Sequence, residues 1–266
     1  MLISSVILIL REVLEAALIV SVLLALDQPG KKARWLWGAL LVGVLGAALY
    51  AAQLNVISEW FDYVGQEIIN AALQITIYVG LSFVVYDRYC KPDALQKSGL
   101  SEFVMALCVT CAVVREGTEV LIYYSAFSQN TDFIFSVVLG GLIGAAIGVS
   151  LGAVFFYGIR SRKRNTQRNM SVILLAFVAS NMLAQATLLL TQADWLPSYA
   201  PLWDTSAWLT EESTIGQLLY ALIGYEATPS IIQVIAYSAG FVLIMLAARI
   251  GKQKANKANR RHSFFG

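Results

Sequence analysis

Long hydrophobic runs separated by short polar segments dominate the pattern along this chain. Hydrophobic residues fill 58% of the 266 positions, and the mean hydropathy is +0.66, well above that of a soluble domain. Most runs reach the roughly 20 residues that a helix needs to cross a bilayer. The pattern predicts an all-α polytopic membrane protein whose seven transmembrane helices lie near residues 3–26, 36–57, 68–86, 102–127, 133–158, 170–193 and 230–249.

Two of these helices carry an Arg-Glu-x-x-Glu motif inside an apolar run. The motifs are Arg11-Glu12-Val13-Leu14-Glu15 and Arg115-Glu116-Gly117-Thr118-Glu119. Ionisable groups at that depth cost roughly 2.5–3.5 kcal/mol each on insertion scales, so they indicate function. Each arginine can neutralise one carboxylate, most simply the glutamate four residues on, which shares its helix face. Four carboxylates against two guanidinium groups leave an excess negative charge, which predicts a bound cation rather than purely structural ion pairs.

Basic residues follow every second hydrophobic run, and this sets the expected orientation. Seventeen of the 19 lysines and arginines lie in those segments, and the other two are Arg11 and Arg115. The positive-inside rule therefore places the N-terminus outside and the C-terminus in the cytoplasm. We divide the chain into a transmembrane domain, residues 1–250, and a basic cytoplasmic tail, residues 251–266, which we expect to be disordered.

The other loops contain acidic residues and no lysine or arginine. The positive-inside rule explains the missing bases, but acids at this density also create a potential that concentrates cations at the outer face. We interpret six of these acids as an outer cation-collecting group: Glu59, Asp62, Glu67, Asp132, Glu211 and Glu212.

The order of features repeats in the two halves of the chain. Arg11 and Arg115 lie 104 residues apart, each in the first helix of a three-helix unit. Three crossings separate those helices, so the second unit runs through the membrane in the opposite sense. This predicts a 3+3 inverted repeat, residues 1–90 and 100–194, followed by an outer segment and a final helix at 195–250. Such repeats place transport sites near the midplane between the halves.

Small and polar residues recur at helical spacing in both units. The second helices carry small residues at every fourth position, which favours close helix packing in lipid: Ala39, Gly43, Ala47 and Ala51, then Gly140, Gly144, Gly148 and Gly152. Polar side chains of the third helices and of the outer segment either line a path or bond between helices. The candidate pathway residues are Gln74, Tyr78, Asn181, Gln185, Tyr225 and Glu226.

Cys108 and Cys111 form a C-x-x-C pair just before the second motif. Such a pair can be a redox couple or a soft-metal site, but buried thiols more often act as small hydrophobic residues. A membrane thiol oxidoreductase built on these cysteines is the enzyme-class alternative. The sequence holds no phosphate-binding loop and no nucleic-acid motif, so we expect neither enzyme activity nor a nucleic-acid partner.

The paired motifs and the seven-run layout resemble the oxidase-dependent iron permease family, which includes the fungal high-affinity iron permease and bacterial inner-membrane iron permeases. Two further stretches match it, Leu202-Trp203-Asp204-Thr205-Ser206 and Gly224-Tyr225-Glu226-Ala227-Thr228-Pro229-Ser230. The resemblance covers nearly the whole chain. It departs at Val13, where the family usually has glycine.

The resemblance implies iron uptake across a cell membrane, here the bacterial inner membrane. It implies that Glu12, Glu15, Glu116 and Glu119 bind iron in transit, while Arg11 and Arg115 tune the charge. Iron is then the transported substrate, with no tightly bound cofactor, and a separate outside-facing oxidase or iron-delivery protein hands over ferric iron. Carboxylates also bind ferrous iron, manganese and other hard cations. A transporter of another di- or trivalent cation, or a proton-coupled cation exchanger, is the alternative.

Overall fold

The structure is a computed structural model that describes residues 2–27, 34–90, 99–127, 131–211 and 213–264. Helices fill most of these ranges, and the β-type pairing within them is one isolated bridge between Pro201 and Ser230. The described helices are α1 (Leu2–Leu26), α2 (Arg34–Ala52), α3 (Leu54–Ser58), α4 (Trp60–Tyr63), α5 (Gly65–Cys90), α6 (Gly99–Phe127), α7 (Thr131–Arg160), α8 (Arg164–Gln192), α9 (Thr214–Ile223) and α10 (Ile231–Phe264). The prediction of an all-α protein is confirmed.

Five of the described helices are long and apolar enough to cross a membrane: α2, α5, α7, α8 and α10. The helices α1 and α6 have 25 and 29 residues, which also exceeds the length of a span. Each, however, interrupts its apolar run with the three ionisable residues of its motif. The structure therefore supports a multi-pass membrane protein, and the crossing of α1 and α6 stays a prediction.

Two segments differ from the expectations. The second predicted helix ends early, because α2 stops at Ala52 and the chain then turns through α3 and α4, with Phe61 and Asp62 at φ values of 53° and 63°. The expectation of a disordered tail is wrong, since α10 continues to Phe264. Lysine, arginine and alanine make up much of the tail, and they favour helix once the preceding span has nucleated it.

Hydrogen bonds tie helix ends together at a basic end of the bundle. Gln167 Nε2 donates to the Ala25 carbonyl at 2.5 Å, and Arg160 Nη1 donates to the Asp27 carbonyl at 3.1 Å. Arg88 Nη2 also lies 3.7 Å from the carboxylate of Asp27. The ends of α1, α5, α7 and α8 that meet here are those that the charge pattern assigns to the cytoplasm.

The first helix of each predicted unit packs along the second helix of the other unit. Thus α1 lies along α7 and α6 lies along α2, whereas α5 and α8 pack on each other and on α10. The small-residue stripes lie in these contacts. A Cβ on Gly144 would meet the backbone of Val6, and one on Gly43 would meet the side chain of Val113. Small side chains therefore permit the close approach of α1 to α7 and of α6 to α2.

Val13, the departure from the family pattern, is accommodated by a glycine on the facing helix. A Cβ on Gly148 would lie 3.0 Å from Val13 Cγ1. The other pair reverses this arrangement, because a Cβ on Gly117 would lie 3.0 Å from the Cβ of Ala47. Each contact thus combines one glycine with one larger residue, and Val13 does not force α1 away from α7.

Candidate functional site

The two motifs meet where α1 packs against α6. One carboxylate oxygen each of Glu12, Glu116 and Glu119 lies within 4.8 Å of the other two. Glu12 and Glu116 are 1% and 3% exposed, while Glu119 is partly exposed. We call these three residues the carboxylate triad. It draws on both helices, because neither motif alone could place three carboxylates around one point.

Arg11 binds the adjacent glutamate of its own helix and also reaches the other motif. Its Nη2 lies 2.5 Å from Glu12 Oε1 and 3.6 Å from Glu119 Oε2. Its Nε donates a second hydrogen bond of 2.8 Å to Glu12 Oε1. One guanidinium therefore neutralises part of the triad's charge and links α1 to α6.

Arg115 makes the equivalent contacts deeper in the protein. Its Nη1 lies 2.5 Å from Glu116 Oε1 and 3.3 Å from Glu15 Oε2, and its Nη2 lies 3.4 Å from Glu119 Oε1. The expected pairing with the glutamate four residues on is right for Arg115. It is wrong for Arg11, since among the described side chains no ion pair joins Arg11 to Glu15. The packing of α1 against α6 brings the carboxylate of the other motif within reach instead.

Glu15 does not belong to the triad, although nothing in the sequence pattern separated the four motif glutamates. It is 2% exposed, and its Oε2 accepts a hydrogen bond from Arg115. The structure thus groups three of the four expected ligands around one point and holds the fourth on a guanidinium.

Buried carboxylate oxygens without hydrogen-bond partners remain in this site: Glu12 Oε2, Glu15 Oε1 and Glu116 Oε2. Burying such oxygens is costly unless a charge or a donor compensates them. Two guanidinium groups leave two of the four negative charges uncompensated. Hard oxygen donors with excess negative charge are the ligands that di- and trivalent hard cations prefer. The residues present therefore fit a metal ion as the transported substrate.

A cavity of about 250 Å³, which we call the vestibule, reaches the site from one side. Its lining consists of Arg11, Leu188, Glu211, Gln217, Tyr220, Glu226, Thr228 and Gln233. Within this lining the Arg11 guanidinium lies over the ring of Tyr220, 5.4 Å from the centroid. The vestibule therefore includes the arginine that binds Glu12 and Glu119.

Hydrogen bonds from the outer segment and from α10 hold two acids of the vestibule in place. Glu211 Oε1 accepts a hydrogen bond of 2.6 Å from the Ala227 amide, and Glu226 Oε2 accepts one of 2.6 Å from Gln233 Nε2. Burial, together with the nearby charge of Glu211, raises the pKa of Glu226 to about 7, and the Gln233 hydrogen bond opposes this shift. The charge of the vestibule therefore changes near neutral pH.

Sequence reasoning missed three vestibule residues, Gln217, Tyr220 and Gln233. The first two lie on α9, whose Ser213 cap accepts from the amide of Gly216, and that cap was the available signal for a helix here. Gln233 lies in the first turn of α10 and bonds both Glu226 and the amide of Ser230. None of these residues belongs to the Arg-Glu-x-x-Glu pattern.

Four of the candidate pathway residues, on α5 and α8, make hydrogen bonds between helices. Gln74 Nε2 donates to Gln185 Oε1 at 2.7 Å, Asn181 Nδ2 donates to the Tyr220 carbonyl at 3.3 Å, and Tyr78 donates to a carbonyl of α10 at 3.2 Å. The Tyr225 hydroxyl donates to the carbonyl of Leu209 at 2.9 Å. These contacts suit the interhelical alternative, and of the six candidates Glu226 lines the vestibule. A pathway role for the others stays a prediction.

Most of the outer acids lie away from the vestibule in the described part of the chain. Glu59 and Asp62 are exposed around α4, and Glu67 and Asp132 lie in the first turns of α5 and α7. Glu211 lines the vestibule, whereas Glu212 lies outside the described residues. Glu211 is thus the expected collector whose position suits delivery to the triad.

The cysteines form part of the apolar core. Cys108 and Cys111 are free thiols, both buried, and Cys108 Sγ lies 3.9 Å from the carbonyl oxygen of Ile77. Their neighbours in the core include Ile77 and Met105. This is the environment of thiols that act as small hydrophobic residues.

An all-helical bundle with carboxylates from two helices around one interior point defines a class of protein, multi-pass membrane proteins with an interior site suited to a cation. Comparison with known proteins identifies the family within this class. The chain matches the Iron permease FTR1 family over residues 2–256 and belongs to it.

Curated relatives match along nearly their whole length. The chain is similar to proteins named ferrous iron permease EfeU from Shigella sonnei, with 27% identity over 94% of this chain and 96% of the relative, and from Escherichia coli O6:H1, with 28% identity over 95% and 97%. A protein of the same name from Yersinia pestis is 26% identical over 85% of this chain and 86% of its own. No solved structure matches the chain.

Proposed function

We propose that this chain is an iron permease that moves iron into the cytoplasm through one site shared by the two motifs. The carboxylate triad carries the proposal, because it places oxygen ligands from two helices within 4.8 Å of one another. A hard cation leaving water needs several oxygen ligands at once, and one motif offers two carboxylates. Membership of the iron permease family supports iron as the substrate.

We infer that iron reaches the vestibule in the ferric form, handed over by a separate outside-facing oxidase or iron-delivery protein. The preference of hard carboxylate oxygens for a highly charged cation supports the ferric form. The relatives are named ferrous iron permeases, so uptake of iron(II) and of iron(III) has to be compared directly.

Uptake of radiolabelled metal tests the proposed function. The chain is expressed in a bacterial strain that lacks its own iron importers, and the cells receive iron(II) with ascorbate, iron(III) citrate or manganese(II) in separate arms. We expect iron uptake above that of the empty vector, with iron(III) favoured over iron(II) and little manganese. Uptake of manganese in place of iron would support the alternative of another cation transporter, and uptake of none of the three would contradict the proposal.

We further propose that the units around α1 and α6 form an inverted repeat in the bacterial inner membrane, with the N-terminus outside. The reciprocal packing of α1 on α7 and of α6 on α2 supports the repeat. The hydrogen bond between Gln74 and Gln185 joins α5 and α8, the third helices of the two units. The basic end of the bundle supports the orientation.

Thiol labelling of single cysteines checks this orientation. Cysteines at Asp62 and Ser198, in a background without native cysteines, should react with an impermeant reagent applied to intact cells. Cysteines at Asn165 and Lys257 should react only after the membrane is opened. Labelling of the second pair in intact cells would overturn the orientation.

The pKa of Glu226 predicts that uptake depends on pH. Below about 7 this carboxylate is protonated, so the vestibule loses a negative charge and attracts cations less. Uptake of subsaturating iron(II), kept soluble with ascorbate, should therefore rise between pH 6 and 8. The variant Glu226→Gln should flatten that rise, because its amide does not titrate; an unchanged pH profile would show that Glu226 does not act in this way.

A further inference from the structure

The two motifs differ in exposure although the repeat makes them equivalent. Arg11 lines the vestibule and is 31% exposed, and Glu119, which binds it, is 30% exposed. Their counterparts Arg115 and Glu15 are 7% and 2% exposed. One glutamate and one arginine are therefore accessible, and the equivalent pair is closed off.

The described chain closes the route from Glu15 toward the basic end. One to two turns beyond Glu15, the α1 residues Ile19, Val22 and Leu23 are at most 1% exposed and belong to the main apolar core. At the end of α1, Asp27 is tied to Arg88. Within the described residues, the site thus borders the vestibule through Arg11, and buried apolar side chains lie between the site and the basic end.

Arg115 connects the accessible glutamate to the closed one. Its Nη2 lies 3.4 Å from Glu119 and its Nη1 lies 3.3 Å from Glu15. Glu15 also keeps one buried oxygen, Oε1, without a hydrogen-bond partner. A small shift of this guanidinium toward Glu119 would release Glu15 and cover Glu119.

We infer that Glu119 and Glu15 are alternating ligands of one transported ion. Glu119 completes the site while it is open to the vestibule, and Glu15 replaces it when the site opens toward the basic end. Glu12 and Glu116 remain ligands in both states. The inference rests on the proposed function and follows from the repeat, because inverted repeats can exchange conformations and thereby exchange the exposure of equivalent residues.

Binding and uptake should therefore separate at these two positions. Equilibrium dialysis of the purified full-length protein in detergent against radiolabelled iron(II) without oxygen, and against iron(III) citrate, measures binding in the state described. We expect Glu119→Gln to weaken binding of the iron form that the unmodified protein binds by about 10- to 100-fold, the range seen when groups around a metal are disturbed. Glu15→Gln should bind within about twofold of the unmodified protein, because its amide still accepts from Arg115. Both variants should lose uptake in cells.

The control is Glu102→Gln, which makes the same change on α6 about 21 Å along the helix from Glu116. Glu15→Asp provides a second variant if Glu15→Gln folds poorly, since it keeps the charge that Arg115 requires but shortens the ligand. Equal loss of binding in the Glu119 and Glu15 variants, with normal binding by the unmodified protein, would overturn this inference alone. Failure of the unmodified protein to bind either form of iron would overturn the proposed function as well.

Discussion

Arg115→Ala should remove most of the folded protein from the membrane. The Arg115 side chain is 7% exposed, and its guanidinium lies within 3.4 Å of carboxylate oxygens of Glu15, Glu116 and Glu119. Removing one partner of a buried ion pair leaves an uncompensated charge and typically costs about 3–5 kcal/mol. That is a large part of the stability of an ordinary domain. The yield of monodisperse protein in detergent and its thermal unfolding measure the effect.

Two comparisons separate charge compensation from a general effect of losing arginine. Arg162→Ala removes an exposed arginine and should leave yield and unfolding unchanged. Adding Glu15→Gln to Arg115→Ala should restore part of the yield, because one of the unpaired carboxylates is then neutral. A yield of Arg115→Ala equal to that of Arg162→Ala would show that Arg115 does not stabilise the site.

Glu116→Gln and Glu12→Gln should each reduce iron uptake by about 10- to 100-fold without loss of protein from the membrane. The amide keeps the shape of the side chain but removes the negative charge that holds a cation among buried groups. Glu→Asp at either position should also reduce uptake, because the shorter side chain withdraws an oxygen from the point that the three carboxylates share. Uptake of labelled iron is normalised to the protein detected in the membrane.

The double variant decides whether these two glutamates act together. If both hold one ion, Glu12→Gln/Glu116→Gln should transport little less than either single variant. Glu102→Gln, on the same helix as Glu116, should transport normally. Independent effects that multiply in the double variant, or more than half of normal uptake in either single variant, would contradict a shared site.

The meeting of the two motifs could be expected from the sequence, because charged residues inside apolar runs cost too much to occur without a partner or a function. Their order also suggested an inverted repeat, which brings first helices together. The small-residue stripes likewise predicted that α2 and α7 each pack closely against another helix. The structure adds their partners: each stripe packs on the motif helix of the other unit.

The different contacts of the four motif glutamates could not be predicted from the sequence. Helical spacing describes one helix at a time, so it favoured pairing of Arg11 with Glu15 and treated the four carboxylates alike. How α1 packs against α6 decides instead that Arg11 reaches Glu119 and that Arg115 holds Glu15. The vestibule could not be predicted either, since its lining combines Arg11 of α1 with Tyr220 of α9 and Gln233 of α10, which lie far apart in the sequence.

The number of iron ions bound per chain, and the atoms that bind them, test the central claim most directly. Metal analysis and X-ray absorption of the iron-loaded, purified protein should show one iron per chain with oxygen neighbours, and none in Glu12→Gln/Glu116→Gln. Two irons per chain would mean that each motif binds separately. Sulfur neighbours would move the site to Cys108 and Cys111, and either result would contradict one carboxylate site shared by the two motifs.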